Sequence, residues 1–286
     1  MDCYRLYVSL EKTLPDEMMT IETRIAEAYD RDELQPEDVE AVNDAIDALD
    51  SGERRICENI DGNWVTHQWL QKAVLLYFKT QEMELIQSGA FRFNDKIPLK
   101  QWTGAEGVRV VPQALVRQGA FIEPGCILMP SFVNIGAYIG SGTMVDTWAT
   151  VGSCAQVGRD VHLAGGVGIG GVLEPLGAQP VIIEDHAFVG SRCVVVEGMH
   201  VGEGAVLGAG VVLTASTKII DVRGKHAETL RGRVPANSVV IPGTLPKSFP
   251  AGEYGVPCAL IIGTRSESTD RKTSLTSVLR EFNVPA

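Results

Sequence analysis

The fold of this chain is decided by residues 139–170, which read IGSGTMVDTWATVGSCAQVGRDVHLAGGVGIG. Counting in sixes from Ile139 always reaches another large aliphatic residue, ending at Ile169. The same phase extends back to Leu115, and a second run in a new phase begins at Ile183. The seventeen residues in phase are Leu115, Phe121, Ile127, Val133, Ile139, Val145, Val151, Val157, Leu163, Ile169, Ile183, Val189, Val195, Val201, Leu207, Leu213 and Ile219.

A period of six fits neither an α-helix, which repeats every ~3.6 residues, nor the simple alternation of a strand. It fits a triangular coil in which each hexad supplies one short strand and one corner. The large residue points into the coil, and the residue two places earlier is usually small, as at Ala137 and Ala149. Glycine often follows the large residue, as at Gly140 and Gly152, where we expect it to ease the turn. The pattern predicts a mainly β protein: a left-handed parallel β-helix of hexapeptide repeats with between five and six coils.

The two runs are separated by an insertion. Ile169 and Ile183 lie 14 residues apart where one hexad would need 6, which leaves eight extra residues around 171–180. A loop that leaves the corner of a solenoid is well placed to act as an active-site flap, and we expect that role here. A tolerated surface insertion is the alternative.

The flanks of the repeat have different patterns. Apolar residues at helical spacing predict three helices before the repeat, on Ile21, Ile25 and Ala28, on Val39, Val42, Ile46 and Leu49, and on Trp69, Ala73 and Leu76. After it, 256–262 is typical of a strand, and Leu275, Val278, Leu279 and Phe282 of a helix. We therefore expect a mostly helical N-terminal domain over 1–107, the β-helix over 108–255, and a small α/β segment, a strand and a helix, over 256–286.

Composition excludes several classes of protein. The net charge of −11 disfavours nucleic acid as a partner, because phosphate binding needs a basic face. No apolar run approaches the ~20 residues that a membrane span requires, and the start of the chain does not resemble a signal peptide. The six cysteines form no CxxC pair and indicate a reduced, cytoplasmic protein. No metal site is expected, because His162, His186 and His200 occupy different slots of the repeat.

The slots of the repeat also indicate where chemistry can lie. The residue before each large one faces outward, which applies to His162, Val194 and His200. Asp146 stands where glycine is usual, so we predict a functional role for it. Threefold association of such coils creates grooves in which an extended ligand such as coenzyme A can lie. Candidate coenzyme A contacts are the corner positions Gly190 and Gly208 and the basic Lys218.

Four stretches of this sequence carry a resemblance to a known family. They are residues 64–70 (WVTHQWL), 116–121 (VRQGAF), 144–153 (MVDTWATVGS) and 165–175 (GGVGIGGVLEP). These stretches resemble tetrahydrodipicolinate N-succinyltransferases, and the match runs from about residue 36 to 262. The resemblance implies a cytoplasmic homotrimer with active sites between neighbouring coils. It also implies transfer of a succinyl group from succinyl-CoA to the amine of ring-opened tetrahydrodipicolinate, on the diaminopimelate route to lysine.

The resemblance further implies roles for two residues. Arg109 matches the family's substrate-binding arginine and would clamp a carboxylate bidentately. Asp146 matches its essential aspartate and would bind the amine and help remove its proton as it attacks the thioester. No cysteine is needed as nucleophile, so we expect direct transfer in a ternary complex, with acyl-CoA as co-substrate and no permanently bound cofactor.

The sequence departs from the family pattern at two places. The family carries a glutamate three residues before the position of Glu197, and here that residue is Val194. The family's lysine-rich segment after the terminal strand is replaced by GTRSES at 263–268. Three alternatives therefore stay open: a relative that uses acetyl-CoA on the same or a similar acceptor, a sugar or serine acetyltransferase with His162 as base, and a scaffold or anhydrase-like metal protein.

Overall fold

The computed structural model describes residues 20–265. Three helices pack together at the start, and their shared apolar faces form a core of their own. They are α1 (Ile21–Tyr29), α2 (Pro36–Asp50) and α3 (Gln68–Thr80). Pro36 and a capping box formed by Gln35 and Asp38 begin α2, as expected for proline in a first turn. None of the helices in the described range is long and apolar enough to cross a membrane.

The N-terminal region also contains two antiparallel hairpins that helical periodicity does not reveal. The first pairs β1 (Cys57–Ile60) with β2 (Asn63–Thr66), and the second pairs β3 (Glu84–Ser88) with β4 (Phe91–Asp95). Their strands are only four or five residues long. Strands of that length carry too few residues for alternation to stand out in the sequence.

The repeat forms a left-handed parallel β-helix of six coils, each with three two-residue strands. In chain order, three per coil, the strands are β5 (Arg109–Val110), β6 (Leu115–Val116), β7 (Phe121–Ile122), β8 (Ile127–Leu128), β9 (Phe132–Val133), β10 (Tyr138–Ile139), β11 (Met144–Val145), β12 (Thr150–Val151), β13 (Gln156–Val157), β14 (His162–Leu163), β15 (Gly168–Ile169), β16 (Ile182–Ile183), β17 (Phe188–Val189), β18 (Val194–Val195), β19 (His200–Val201), β20 (Val206–Leu207), β21 (Val212–Leu213) and, after an excursion, β24 (Arg233–Val234).

Equivalent strands of successive coils pair in parallel and form three flat walls. The first wall begins with β5 and β8, the second with β6 and β9, and the third with β7 and β10. The first corner joins the first wall to the second, the second corner joins the second to the third, and the third corner joins the third back to the first. The second residue of each strand points inward, and these side chains form one continuous buried core.

The predicted phase is wrong in the first coil and at the start of the second. Leu115, Phe121 and Ile127 face outward and are half-buried, whereas the residues after them, such as Val116 and Leu128, are buried. The second coil contains one repeat of five residues instead of six, because the inward residues Leu128 and Val133 are five positions apart. Each of the misplaced positions offers two adjacent apolar residues, so spacing alone did not distinguish them. From Val133 to Leu213 the predicted inward residues are buried.

Corner glycines serve a different purpose from the one expected. Gly140 and Gly152 have no positive φ, so they do not relieve strain in the turn. A Cβ on Gly152 would overlap the backbone nitrogen of Gly171 in the next coil. The slot therefore needs glycine because stacked corners approach too closely for a side chain. Asp146 occupies this slot under Ala164, in a column where the corner above is not glycine either.

The last predicted hexad, Ile219, leaves the coil. It lies in β22 (Ile219–Asp221), which pairs with β23 (Glu228–Leu230) and with β26 (Gly252–Thr264). The coil resumes at β24, and β25 (Ser238–Phe249) extends the first wall before pairing antiparallel with β26. The predicted C-terminal strand is thus longer than 256–262, and the predicted helix near Leu275 lies outside the described residues.

The inserted loop at 171–180 does not cover Asp146. It leaves the second corner, between β15 and β16, and packs on α3. The N–H of Gly177 donates to Gln71 Oε1 at 2.9 Å, and Gln71 Nε2 donates to the carbonyl of Ala178 at 3.2 Å. Gln71 is fully buried. Within this chain the loop attaches the N-terminal region to the coil, and its role as an active-site flap stays a prediction.

The N-terminal region covers the third wall. His200, predicted to face outward, does so from the third wall, yet it is only 7% exposed. Glu184 accepts hydrogen bonds from His200 Nε2 at 2.7 Å and from Trp64 Nε1 in β2 at 3.1 Å. Hydrogen bonds, first of all from His200, lower the pKa of Glu184 to about 2. Arg55 stacks on Tyr138 of the same wall, 3.5 Å from the ring centre.

The close approach at the corners predicts a sharp difference between two glycine variants. We expect Gly152→Ala to destabilise the protein by about 1–3 kcal/mol, because its Cβ would overlap the Gly171 backbone. Gly168→Ala is the control, since its Cβ would have only Thr150 Oγ1 nearby, at 4.0 Å. Urea unfolding followed by circular dichroism measures both. Equal stability of the two variants would contradict this explanation of the glycine slot.

The contact between Glu184, Trp64 and His200 predicts a pH-dependent effect. We expect Glu184→Gln to lower stability by about 1–3 kcal/mol at neutral pH, because it removes a charge-assisted acceptor. The carboxylate's pKa falls from 4.5 to about 2 on folding, so its contribution is complete above pH 4.5 and is lost toward pH 2. Thermal melts should show the gap to wild type narrowing over that window. Glu203→Gln, at an exposed carboxylate, is the control.

Candidate active site at the first corner

Asp146 lies at the first corner of the third coil, directly after the inward Val145 of β11. Its N–H donates to the carbonyl of Leu163 in the coil above at 2.9 Å, which fixes its backbone in the stack. Its side chain is 33% exposed. The residue predicted to be catalytic therefore stands on an open edge of the β-helix.

The carboxylate of Asp146 is oriented by its own turn. Oδ1 accepts the N–H of Thr147 at 2.7 Å and the Thr147 hydroxyl at 3.3 Å. Oδ2 lies 3.9 Å from Nε2 of His162. One oxygen is thus held by the Thr147 turn, while the other faces His162.

His162 projects from the first wall beside this carboxylate. It lies on β14, the strand above β11, and its ring stacks on Phe188 of β17 at a centroid distance of 5.3 Å. Its side chain is 25% exposed. The structure therefore brings together Asp146 and His162, the two residues that sequence reasoning assigned to competing mechanisms.

Arg109 lies on the same side of the coil but does not contact Asp146. It is an exposed residue of β5, which pairs with β8, and β8 in turn pairs with β11. Two strand spacings separate the rungs, about 10 Å along the axis of the β-helix. Within one chain Arg109 and Asp146 stand at two levels of one surface.

The predicted coenzyme A contacts divide into two groups. Gly190 and Gly208 are first-corner residues stacked above Asp146, but their N–H groups already donate to Leu207 and Val240 in the neighbouring coils. They offer a bare edge and no free N–H donor. Lys218 is exposed at the far end of the β-helix, just before β22.

The outer face of the second wall is open and largely apolar. Val194 faces outward as predicted and is 36% exposed, between Gly168 and the exposed Val212 on neighbouring strands. Trp148, next to this face at the first corner, is 66% exposed. A hydrophobic surface of this kind beside a site is typical of an interface.

Two residues of this edge were missed by sequence reasoning. Trp148 and Arg192 both occupy the left-handed slot of a first-corner turn, each with φ of 61°. A bulky side chain at positive φ is uncommon and often marks a functional constraint. The slot lies three places after each inward residue, so non-glycine residues there were a readable signal.

The cysteines are not placed for nucleophilic attack. Cys126, Cys154 and Cys193 are buried, and burial raises their pKa to about 11, 12 and 11. Cys57 and Cys258 are also buried, and Cys3 lies outside the described residues. Within residues 20–265 no three His, Cys, Asp or Glu side chains converge as metal ligands.

Comparisons with known proteins give a consistent result. The model described as "Tetrahydrodipicolinate N-succinyltransferase N-terminal" matches residues 20–80, and "Hexapeptide repeat of succinyl-transferase" matches residues 180–215. The chain is 51% identical over 278 residues to the 2,3,4,5-tetrahydropyridine-2,6-dicarboxylate N-succinyltransferase of Klebsiella pneumoniae, covering 93% of this chain and 100% of the relative. Identity to the enzyme of that name from Salmonella heidelberg is 52% over 250 residues, 85% and 90% of the two chains. For Pasteurella multocida it is 49% over 277 residues, 93% and 100%.

The two family models match the helical N-terminal region and part of the β-helix. Identities near one half over most of the chain, with nearly the whole of each relative covered, are sufficient to assign the family. The chain belongs to the tetrahydrodipicolinate N-succinyltransferase family.

Proposed function

We propose that this protein is an N-succinyltransferase that acylates ring-opened tetrahydrodipicolinate with succinyl-CoA. The observation that carries the proposal is the exposed, oriented carboxylate of Asp146 on the edge of a β-helix whose relatives bear that activity in their names. The reaction belongs to the diaminopimelate route to lysine, and we place it in the cytoplasm.

In the proposed reaction the acceptor amine attacks the carbonyl carbon of the thioester. The C–N bond forms as the C–S bond breaks, and coenzyme A leaves with the proton that the amine gives up. Oδ2 of Asp146 accepts a hydrogen bond from the amine and helps to remove that proton, while Thr147 fixes the carboxylate. Transfer is direct, in a ternary complex, since the described cysteines are buried.

We further propose that the active unit is a homotrimer. Arg109 and Asp146 are separated by about 10 Å along the axis of the β-helix. A substrate that contacts both residues would therefore lie along the outside of the coil, where a neighbouring copy can cover it. The exposed apolar second wall, with Val194 and Val212, and the adjacent Trp148 at the first corner support a neighbour at that edge. Coenzyme A would lie in the groove between the copies, against the bare corners of Gly190 and Gly208. Lys218 remains the proposed phosphate contact.

The donor is the first point to test. Purified protein should release free thiol from succinyl-CoA only when ring-opened tetrahydrodipicolinate is present, and faster than from acetyl-CoA. The product should carry one succinyl group on nitrogen, measured by mass spectrometry. Turnover with acetyl-CoA but not with succinyl-CoA, each in the presence of the acceptor, would favour the acetyl-CoA alternative. No thiol release with either donor would exclude the acyltransferase proposal.

A second test concerns Asp146. We expect Asp146→Asn to reduce kcat at least 100-fold, because the amide keeps the shape of the carboxylate but cannot accept the amine's proton. The KM for succinyl-CoA should change little. Asp160→Asn is the control, because it removes the same charge from a turn at the third corner, away from the corner that carries Asp146. Unchanged turnover in Asp146→Asn, together with loss of turnover in His162→Asn, would instead assign the base to His162.

A further inference from the structure

The turns of the first corner stack in register and form a column along the edge that carries Asp146. Their left-handed residues are Trp148, Gly166, Arg192 and Gly210 in successive coils. The N–H of Gly166 donates to the carbonyl of Thr147 at 2.9 Å, and the N–H of Arg192 donates to the carbonyl of Gly165 at 3.1 Å. The turn after Asp146 is therefore joined to the turn of Arg192 by a single intervening turn.

The side chain of Arg192 folds down over that intervening turn. A Cβ added to Gly166 would lie 2.8 Å from Arg192 Cδ, 2.9 Å from Nε and 3.2 Å from Cζ. The guanidinium thus occupies the space that any other residue at 166 would fill. This geometry turns it down along the edge, toward the turn that holds Asp146 and Trp148.

No hydrogen bond or ion pair inside the chain engages this guanidinium in the part that the structure describes, residues 20–265. Two other arginines along the coil contrast with it: Arg159 pairs with Asp185 at 2.8 Å, and Arg117 pairs with Asp95 at 2.7 Å. Arg192 is exposed and keeps its five N–H donors for a ligand. A guanidinium presents those donors as a fork that matches a carboxylate.

We propose that Arg192 binds a carboxylate of the substrates, so that Arg192 above and Arg109 below flank Asp146. The inference rests on the proposed function, since both substrates of that reaction carry carboxylates: the free end of the succinyl group, and those of the acceptor. An isolated Asp146 would repel such anions, whereas two guanidiniums at the same edge attract and orient them. In either case Arg192 would bind a carboxylate. One experiment with two substrates distinguishes the succinyl carboxylate from those of the acceptor.

The variants are Arg192→Gln, which removes the charge, and Gly166→Ala, whose Cβ would displace the Arg192 side chain and would also strain the left-handed turn at residue 166. We expect Arg192→Gln to raise the KM of one substrate about 10- to 100-fold, as for loss of a charge-assisted pair, with a smaller change in kcat. A higher KM for succinyl-CoA, with the preference over acetyl-CoA lost, assigns the succinyl carboxylate. A higher KM for the acceptor alone assigns the acceptor. Arg54→Gln, at an exposed arginine of the N-terminal region, is the control and should match wild type.

Calorimetric titration of each protein with succinyl-CoA, acetyl-CoA and the acceptor separates this inference from the proposed function. Should wild type release no thiol, the proposed function fails, and the binding constants still decide the role of Arg192. Weaker binding of one carboxylate ligand to Arg192→Gln, and in the same direction to Gly166→Ala, supports the inference. KM values and binding constants within twofold of wild type in folded Arg192→Gln would overturn it.

Discussion

The hydrogen bonds between successive coils constrain everything else in this molecule. Parallel strands lie about 4.8 Å apart, so each slot of a hexad stands directly over the same slot of the next coil. The large inward slot is apolar throughout the coil, and a corner slot tolerates almost nothing beyond glycine where the next corner presses on it, as at Gly152 under Gly171. Residues in the same slot of successive hexads therefore lie on the same face of the coil. The slot that a functional side chain occupies within its hexad determines which face it projects from.

The N-terminal region decides which side of the coil is available for chemistry. Its hairpin and helices cover the third wall through Trp64, Glu184 and His200, and the inserted loop binds Gln71 on α3 at the second corner. The first corner and the Val194–Val212 part of the second wall stay open, whereas the far end of the first wall, at Phe188 and Val206, is buried beneath β26. An extended ligand and a neighbouring copy therefore have one edge to share, and Asp146 is on it.

Along that edge the charges are arranged by level. Asp146 holds the middle, Arg109 lies two coils below, and Arg192 lies two coils above with its side chain folded down over Gly166. His162 stands beside the carboxylate at 3.9 Å. In the proposed reaction the amine of one anionic substrate attacks the thioester of another. Positive side chains bind the carboxylates and a negative side chain binds the amine, and the turns of a β-helix hold both at fixed spacing. Val194 leaves the adjoining wall apolar where the family pattern has an acid.

The sequence by itself determined the architecture from Val133 onward, the position of the insertion, and the place of Asp146 at a corner, because a strict period of six has a single structural solution. It did not determine the phase of the first coil, where pairs such as Leu115 and Val116 are both apolar and one short hexad resets the count. Only the tertiary structure decided that the loop binds α3, that His200 is covered, and that Arg192 lies over Gly166. Those outcomes depend on contacts between residues far apart in the chain, and local patterns carry no record of them.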